Sequence, residues 1–298
     1  MPDIALTGLT KRYAAVTAVD DLTTRARTGR ITAFLGANGS GKTTTMRLLL
    51  GLSEPDSGSA LIGGRRYRDL PHPSRVVGAV LDQGFHPHRS ARNHLRIVAA
   101  QAGVSQHRVV DDVLAEVGLA EAARRWVGGF SLGMRQRLNL AAAMIGRPEN
   151  LVLDEPFNGL DPAGIHWMRG YLRSFADDGG SVLLSSHLLA EIAHSADDAI
   201  IIDHGRLVSA GPVSSLAAAS PKTRVTTPDR VALAAALTRA GAEVRPAGED
   251  SLLVANLSAE EIARVALDAR LLVTEMGAEN GDLETVFISL IDRTEVIS

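Results

Sequence analysis

Apolar residues follow two different spacings along this chain, and their succession predicts an α/β fold. Residues 3–9 and 17–27 partly alternate between apolar and polar positions, which predicts two antiparallel strands. Short apolar runs at 31–35 and 150–156 predict buried strands, and a stretch with helical spacing follows each of them. The repeated order of strand and helix indicates a mostly parallel central sheet in a mixed core, with an antiparallel β subdomain ahead of it.

Two changes of pattern divide the chain further. Spacings of three and four dominate between Ser90 and Gly146, which predicts an inserted helical subdomain at about 87–148. Residues 213–221 have the composition of a linker, so we expect one domain over 1–212 and a second over 222–298.

The second domain has the element order β-α-β-β-α-β, which predicts a small α+β, split-βαβ arrangement. The pair Ser258 and Glu261 forms a capping-box pattern that predicts a helix start. Its last strand is predicted at 271–276, and an amphipathic helix at 283–291 closes the chain.

Composition narrows the classes of function. The chain has 298 residues, enough for two domains, and a net charge of −3, so we expect no nucleic-acid partner. It contains no cysteine, which excludes disulfides and thiolate metal sites. The start of the sequence lacks a signal-peptide pattern, and no apolar run reaches the length of a membrane span, so we expect any membrane role to act through another chain.

The segment GANGSGKTT at 36–44 carries the strongest chemical signal. Gly36, Gly41, Lys42 and Thr43 match the pattern G-x-x-x-x-G-K-[ST] between a predicted strand and a predicted helix. Backbone N–H groups of such a loop and the positive end of the helix bind phosphate, Lys42 reaches the β- and γ-phosphates, and Thr43 coordinates Mg²⁺. We therefore predict ATP and Mg²⁺ as ligands, with the loop contacts completed by Asn38, Gly39, Ser40 and Thr44.

A pair of carboxylates follows the buried strand at 150–153. Asp154 is predicted to hold Mg²⁺ through water, and Glu155 to orient or deprotonate the water that attacks the γ-phosphate. Upstream, the isolated Tyr13 has two interpretations, as an aromatic that stacks on a nucleobase or as a strand-edge aromatic that covers the core.

Taken together, these motifs resemble the ATP-binding subunit of ABC transporters over about 1–212. FSLGMRQR at 130–137 is similar to the family signature LSGGQ, and EPFNGLDP at 155–162 to the segment that leads into the dimer-contacting loop. The resemblance implies an ABC-type P-loop NTPase fold and ATPase activity coupled to transport. It assigns roles to the following residues: Ser131 and Gly133 on the γ-phosphate of an opposite subunit, Asp161 in the dimer contact, His187 as the switch histidine, Lys42 and Glu155 in catalysis, and Tyr13 under the adenine.

The γ-phosphate-sensing position stays open between two neighbours. The strand register places Asp82 at the family's glutamine position, where it could also meet Mg²⁺, and Gln83 follows one residue later.

Leu132 and Met134 replace a glycine and a glutamine of the family signature. These departures and the C-terminal extension resemble the drug- and antibiotic-exporter branch, in which the ATPase pairs with a separate permease. The resemblance implies an ATP-bridged homodimer at the cytoplasmic face of a bacterial membrane, with the 82–100 region, including Phe85, contacting the permease.

Three alternatives accompany this interpretation. A non-transport ABC ATPase of DNA repair or the ribosome usually carries a long coiled-coil insertion or two ATPase domains in one chain, and neither is present. The ATPase of an importer is disfavoured by analogy alone. The extension is also compatible with a regulatory or dimer-bracing role, and the cargo is not encoded in this chain.

Overall fold

A computed structural model describes residues 3–81, 84–104, 107–186, 195–218 and 222–279. The chain forms two compact units, Met1–Gly211 and Pro212–Ser298. Within the described ranges, no helix combines the length and apolar character that a membrane crossing requires.

The antiparallel sheet of the first unit confirms the predicted pair of strands and adds a third. Strand β1 pairs with both neighbours, in the order β2-β1-β4. It continues beyond the predicted end at residue 9 to Tyr13, which lies opposite Val16 across a tight turn. The strands are β1 (Ile4–Tyr13), β2 (Val16–Ala26) and β4 (Ser57–Ile62).

The central sheet has six strands in the order β5-β6-β7-β3-β8-β9. Pairing is parallel from β5 to β6, β6 to β7, β7 to β3 and β3 to β8, as predicted. Strand β9 was not predicted, because its residues are exposed or half-buried and show no apolar alternation. The strands are β3 (Ile31–Leu35), β5 (Val77–Val80), β6 (Asn150–Leu153), β7 (Ser181–Ser186), β8 (Asp198–Asp203) and β9 (Arg206–Pro212).

The helices of the first unit begin at clear caps. Ser90, Ser131 and Asp161 each accept a hydrogen bond from the backbone N–H three residues later, which satisfies a donor that the helix start leaves open. The predicted helical cluster is confirmed, because the third, fourth and fifth helices pack against one another. The helices are α1 (Lys42–Leu49), α2 (Pro73–Val76), α3 (Ala91–Gln101), α4 (His107–Glu116), α5 (Leu132–Met144) and α6 (Pro162–Asp177), with 3₁₀ turns at Tyr67–Asp69 and Val127–Gly129.

One hydrophobic core holds α1 in place. Leu6 of the antiparallel sheet, Phe34 and Ile200 of the central sheet, and Met46 and Leu49 of α1 belong to the same buried cluster. Burying each such side chain contributes about 1.5–3 kcal/mol. The helix that follows the phosphate loop is therefore fixed by both sheets.

The second unit confirms the predicted β-α-β-β-α-β order, with an antiparallel sheet in the order β11-β12-β10-β13. The predicted linker at 213–221 is partly wrong, because its first six residues form helix α7, where alanine and leucine favour helix. The elements are α7 (Val213–Ala218), β10 (Lys222–Thr226), α8 (Arg230–Arg239), β11 (Glu243–Pro246), β12 (Ser251–Ala255), α9 (Ala259–Asp268) and β13 (Glu275–Glu279).

The last strand begins later than predicted, at Glu275 instead of residue 271. Leu271 and Val273 have the alternation of a strand, but they pack on the core of the unit from the segment that precedes β13. The helix predicted at 283–291 lies outside the described residues.

The predicted capping box at the start of α9 is confirmed. Ser258 Oγ accepts from the Glu261 N–H at 3.3 Å, and the Glu261 carboxylate accepts from the Ser258 N–H at 2.8 Å. The hydrogen bonds that the Ser258 N–H and the Ser258 hydroxyl donate to the Glu261 carboxylate lower the pKa of that group. A carboxylate with a lowered pKa in the folded state adds stability at neutral pH, and that stability is lost as the pH falls through the lowered value.

We predict that Ser258→Ala weakens α9 by about 0.5–2 kcal/mol, because it removes the cap of the helix. Hydrogen exchange of the amides in 259–268, measured at neutral pH, should become faster. Glu260→Gln is the matched control, since its contact with Arg264 at 2.9 Å is exposed and contributes little. Equal exchange rates in the two variants would contradict the role of the cap.

Candidate nucleotide site

The predicted phosphate loop connects β3 to α1 and is packed tightly against its neighbours. Gly41 caps α1 with φ of 104°, and a Cβ at this position would lie 2.3 Å from the Ala18 carbonyl oxygen of β2. Only glycine combines this backbone conformation with so close an approach. On the other side, the Gly205 N–H donates to the Ser40 carbonyl at 2.9 Å. The loop is therefore held by β2 and by the turn between β8 and β9.

The tip of the loop differs in exposure from its two ends. Asn38 and Gly39 at the tip are exposed, whereas Gly36 and Ser40 at the two ends are buried. Exposed backbone N–H groups at a loop tip that opens a helix form an anion-binding concavity.

Lys42 lies inside the loop. Its Nζ donates to the carbonyl oxygens of Gly36 at 2.8 Å and Ala37 at 3.1 Å, and the residue is only 7% exposed. Burial lowers the pKa of the Lys42 ammonium, while the negative charges of Glu155 and Asp154 act to raise it. The loop thus holds a partly desolvated positive charge, which attracts phosphate more strongly than a hydrated one would.

The first residue of the acid pair is joined to the phosphate loop by a hydrogen bond. Thr43 Oγ1 donates to Asp154 Oδ2 at 2.6 Å, across 111 residues of sequence. Ser185 Oγ donates to the other oxygen of Asp154 and accepts from the Glu155 N–H at 2.8 Å. Hydroxyl and carboxylate oxygens are the donors that Mg²⁺ prefers, so this set of atoms fits that ion.

Glu155 has an unusual backbone. Its φ of 50° lies in the left-handed region, which is rare for a residue with a side chain. The Asn158 N–H donates to the Glu155 carbonyl at 3.1 Å, and this turn, together with the hydrogen bond to Ser185, holds the conformation. Strained backbone of this kind is concentrated at functional sites.

Ser131 of the predicted signature and Asp161 of the predicted dimer loop are both helix caps. Ser131 Oγ accepts from the Met134 N–H at 3.3 Å, and Asp161 Oδ1 accepts from the Gly164 N–H at 2.8 Å. Both residues are exposed, and Gly133 is partly exposed in the first turn of α5. Ser131 and Asp161 are therefore oriented by their own helices on the surface of the subunit.

Tyr13 lies at the end of β1 and is 47% exposed, so it does not cover the core. Its hydroxyl is 3.3 Å from Ser53 Oγ, and Lys11 Nζ is 5.4 Å from the ring centroid. The paired residue Val16, which the sequence analysis missed, is 66% exposed and lies two residues before Ala18, the neighbour of the loop. The signal that the sequence offered for Val16 was an apolar β-branched residue close to Tyr13 along the chain.

Ser185 is the other functional residue that sequence reasoning missed. It is fully buried in an apolar strand, and it links the two carboxylate residues to each other. A hydroxyl at the end of a buried apolar strand, SVLLSS, was the available signal. Asp82, Gln83 and His187 lie outside the described residues, so their roles stay predictions.

Two pairs of aromatic rings, which we call the aromatic group, involve α3, the loop before it and Trp126. Phe85 and His94 have ring centroids 5.1 Å apart, and His88 and Trp126 are 5.6 Å apart. Phe85 and His94 are both half-buried. Burial and the nearby Arg89 lower the pKa of His94. Trp126 is 63% exposed and forms the outer part of the group.

Comparison with known proteins agrees with this geometry. The sequence profile of the ABC transporter family matches residues 19–158, and that of a domain of unknown function, DUF8746, matches 221–284. The bacitracin transport ATP-binding protein BcrA of Bacillus licheniformis is 42% identical over 216 residues, which cover 72% of this chain and 71% of that protein. The lantibiotic transport ATP-binding protein SrtF of Streptococcus pyogenes is 36% identical, over 69% of this chain and 89% of that protein.

Among solved structures, the dimeric, post-hydrolysis state of an ATP-binding cassette with ADP and Pi matches with a TM-score of 0.64. The match covers 70% of this chain and 98% of the chain in the solved structure. The two sequences are 20% identical, and the match shows a common fold. The chain belongs to the ATP-binding proteins of ABC transporters. It is the nucleotide-binding ATPase component of such a transporter, in which ATP hydrolysis is coupled to transport.

We predict that Gly41→Ala weakens ATP binding at least about tenfold, because the new methyl group meets the Ala18 carbonyl and displaces the loop. Titration with a fluorescent ATP analogue measures the affinity. Gly51→Ala, just after the other end of α1, is the control: its φ of +66° also lies in the left-handed region, where a side chain costs about 1–2 kcal/mol, but no atom lies within 4 Å of the added methyl group. Equal losses of affinity in both variants would show that backbone strain next to α1, and not the contact with β2, weakens ATP binding.

Proposed function

We propose that this chain is the ATP-hydrolysing subunit of an exporter whose transport pathway is formed by a separate permease. The observation that carries the proposal is the hydrogen bond from Thr43 to Asp154, because it joins the phosphate loop to the acid pair in one site. The same atoms account for binding and hydrolysis of a nucleoside triphosphate.

In the proposed site, the phosphates occupy the loop 36–41 and the start of α1. Lys42 moves its ammonium from the carbonyls of Gly36 and Ala37 to the β- and γ-phosphates. Thr43 and Asp154 would hold Mg²⁺, which when bound would neutralise charge on the phosphate oxygens. Tyr13 and the exposed Val16 provide an apolar surface for the adenine.

Glu155 is the proposed base. It accepts a proton from the water that attacks the γ-phosphorus, while the bond from that phosphorus to the bridging oxygen breaks and ADP and phosphate form. Ser185 positions Glu155 because its hydroxyl accepts a hydrogen bond from the Glu155 backbone N–H. The left-handed turn at Glu155 sets the direction of the Glu155 carboxylate. His187, and either Asp82 or Gln83, complete the γ-phosphate contacts in this proposal.

A second copy of the chain completes each site. Ser131 and Gly133 of one copy meet the γ-phosphate bound to the other, and Asp161 lies in the contact between the copies. The exposure of the Ser131 and Asp161 caps supports this role, since both are presented on the surface by rigid helix starts. ATP binding therefore closes the homodimer, and hydrolysis allows it to open.

The permease is proposed to contact the aromatic group at Phe85, His94 and Trp126, where a loop adjoins the helical cluster. In this proposal the subunit lies at the cytoplasmic face of a bacterial membrane. The relatives named for bacitracin and lantibiotic transport favour an antibiotic or another hydrophobic molecule as cargo, and export over import.

We expect Glu155→Gln to bind ATP but to lower kcat by about 10²–10³-fold, because the amide cannot accept the proton. Size-exclusion chromatography with ATP should then show a persistent dimer. Steady-state phosphate release gives the rate.

Glu149→Gln is the control for this substitution. Glu149 is exposed and precedes the same strand, and its backbone makes the hydrogen bonds to Arg75 and Ser181, so the variant should turn over at the rate of the unaltered protein. If Glu155→Gln also kept that rate, Glu155 would not be the base.

A mixing experiment tests whether the sites are shared between copies. Lys42→Ala and Ser131→Ala should each be inactive alone, but a mixture should recover about a quarter of the activity, because half of the dimers then contain one intact site of two. A subunit that completed its own site could not recover activity on mixing. Phosphate release over a range of mixing ratios distinguishes the two arrangements.

A further inference from the structure

Leu132 takes the place of a glycine in the family signature, and the structure shows what its side chain contacts. A Cβ built on Gly159 would lie 2.2 Å from Leu132 Cδ2 and 3.5 Å from its Cγ. Leu132 therefore lies directly on the backbone of Gly159, in the space that any other residue would fill. Leu132 lies in the first turn of α5, and the residue is 42% exposed.

A second leucine makes the reciprocal contact. Leu160, next to Gly159, brings its Cδ2 to 3.7 Å from the position of a Cβ on Gly133, which follows Leu132. Each segment thus places a leucine over a glycine of the other. We call this pair of contacts the leucine–glycine lock: Leu132 on Gly159, and Leu160 on Gly133.

The lock lies next to both helix caps that face a second copy. Leu132 follows Ser131, the cap of α5, and Leu160 precedes Asp161, the cap of α6. A sideways shift of one cap relative to the other would separate a leucine from its glycine and expose apolar surface. Packed contacts of this kind resist gradual deformation.

We propose that Leu132 is a positioning residue that locks the Ser131 tip to the Asp161 loop of the same subunit. The two surfaces then meet the second copy as one rigid body, and little ordering is left to the moment of dimer closure. This inference rests on the proposed function, since it concerns how the shared site is assembled.

The test uses the full chain carrying Glu155→Gln, in which ATP should hold the dimer closed. Adding Leu132→Gly, which restores the family pattern, should weaken ATP-dependent dimerisation about tenfold, equivalent to about 1.4 kcal/mol. Leu132→Met keeps a similar volume and should stay within about threefold of the parent. Analytical ultracentrifugation at several protein concentrations gives the dimerisation constants.

A double-mutant cycle tests the contact itself. Gly159→Ala should weaken dimerisation strongly when Leu132 is present, because the methyl group meets its Cδ2. In a Leu132→Ala background the space is open, so the same substitution should cost less. The backbone cost at the φ of +68° of Gly159 occurs in both backgrounds and cancels.

The outcomes separate this inference from the proposed function. If the Glu155→Gln parent does not dimerise with ATP, the shared site is wrong. If the parent dimerises but Leu132→Gly dimerises equally well, or the two substitutions are additive, the lock has no positioning role. Affinity of the monomers for a fluorescent ATP analogue, measured below the dimerisation concentration, should be the same in all variants and confirms that each is folded.

Discussion

The hydrogen bond between Thr43 and Asp154 is the interaction on which the rest of the site depends. It joins the first turn of α1 to the end of β6, and Ser185 extends it to β7. Parallel strands bring these groups to one edge of the sheet, since all of them end in the same direction. The bond is made by hydroxyl and carboxylate oxygens, which are the kind of ligand that Mg²⁺ prefers.

The loop itself depends on packing from outside the motif. Gly41 contacts the backbone of Ala18 in β2, and Gly205 holds Ser40 from the turn after β8. The antiparallel sheet therefore has two roles. It supports the phosphate loop, and it holds Tyr13 and Val16 at the surface of the protein. Lys42, buried against the loop carbonyls, has its charge fixed in place by the same packing.

Much of the fold could be predicted from periodicity, and the errors have physical causes. Strand β9 was missed because a half-exposed strand lacks an apolar alternation. The strand predicted at 271–276 was shifted because Leu271 and Val273 alternate like a strand while packing on the core from the segment before β13. Helix α7 was taken for a linker because small polar residues flank its alanines. In each case the element depends on contacts within the folded unit, which sequence spacing reports only indirectly.

The sequence by itself predicted the chemistry of the site, because the residue types and spacing of GANGSGKTT and DEP suit phosphate, Mg²⁺ and water activation. It also predicted the order of strands and helices, apart from β9 and α7. The tertiary structure alone decided which distant residues meet: Ser185 with Asp154, Ala18 with Gly41, and Leu132 with Gly159. The physical reason is that periodicity encodes which face of an element is buried, whereas contacts between elements follow from strand order and the close packing of side chains.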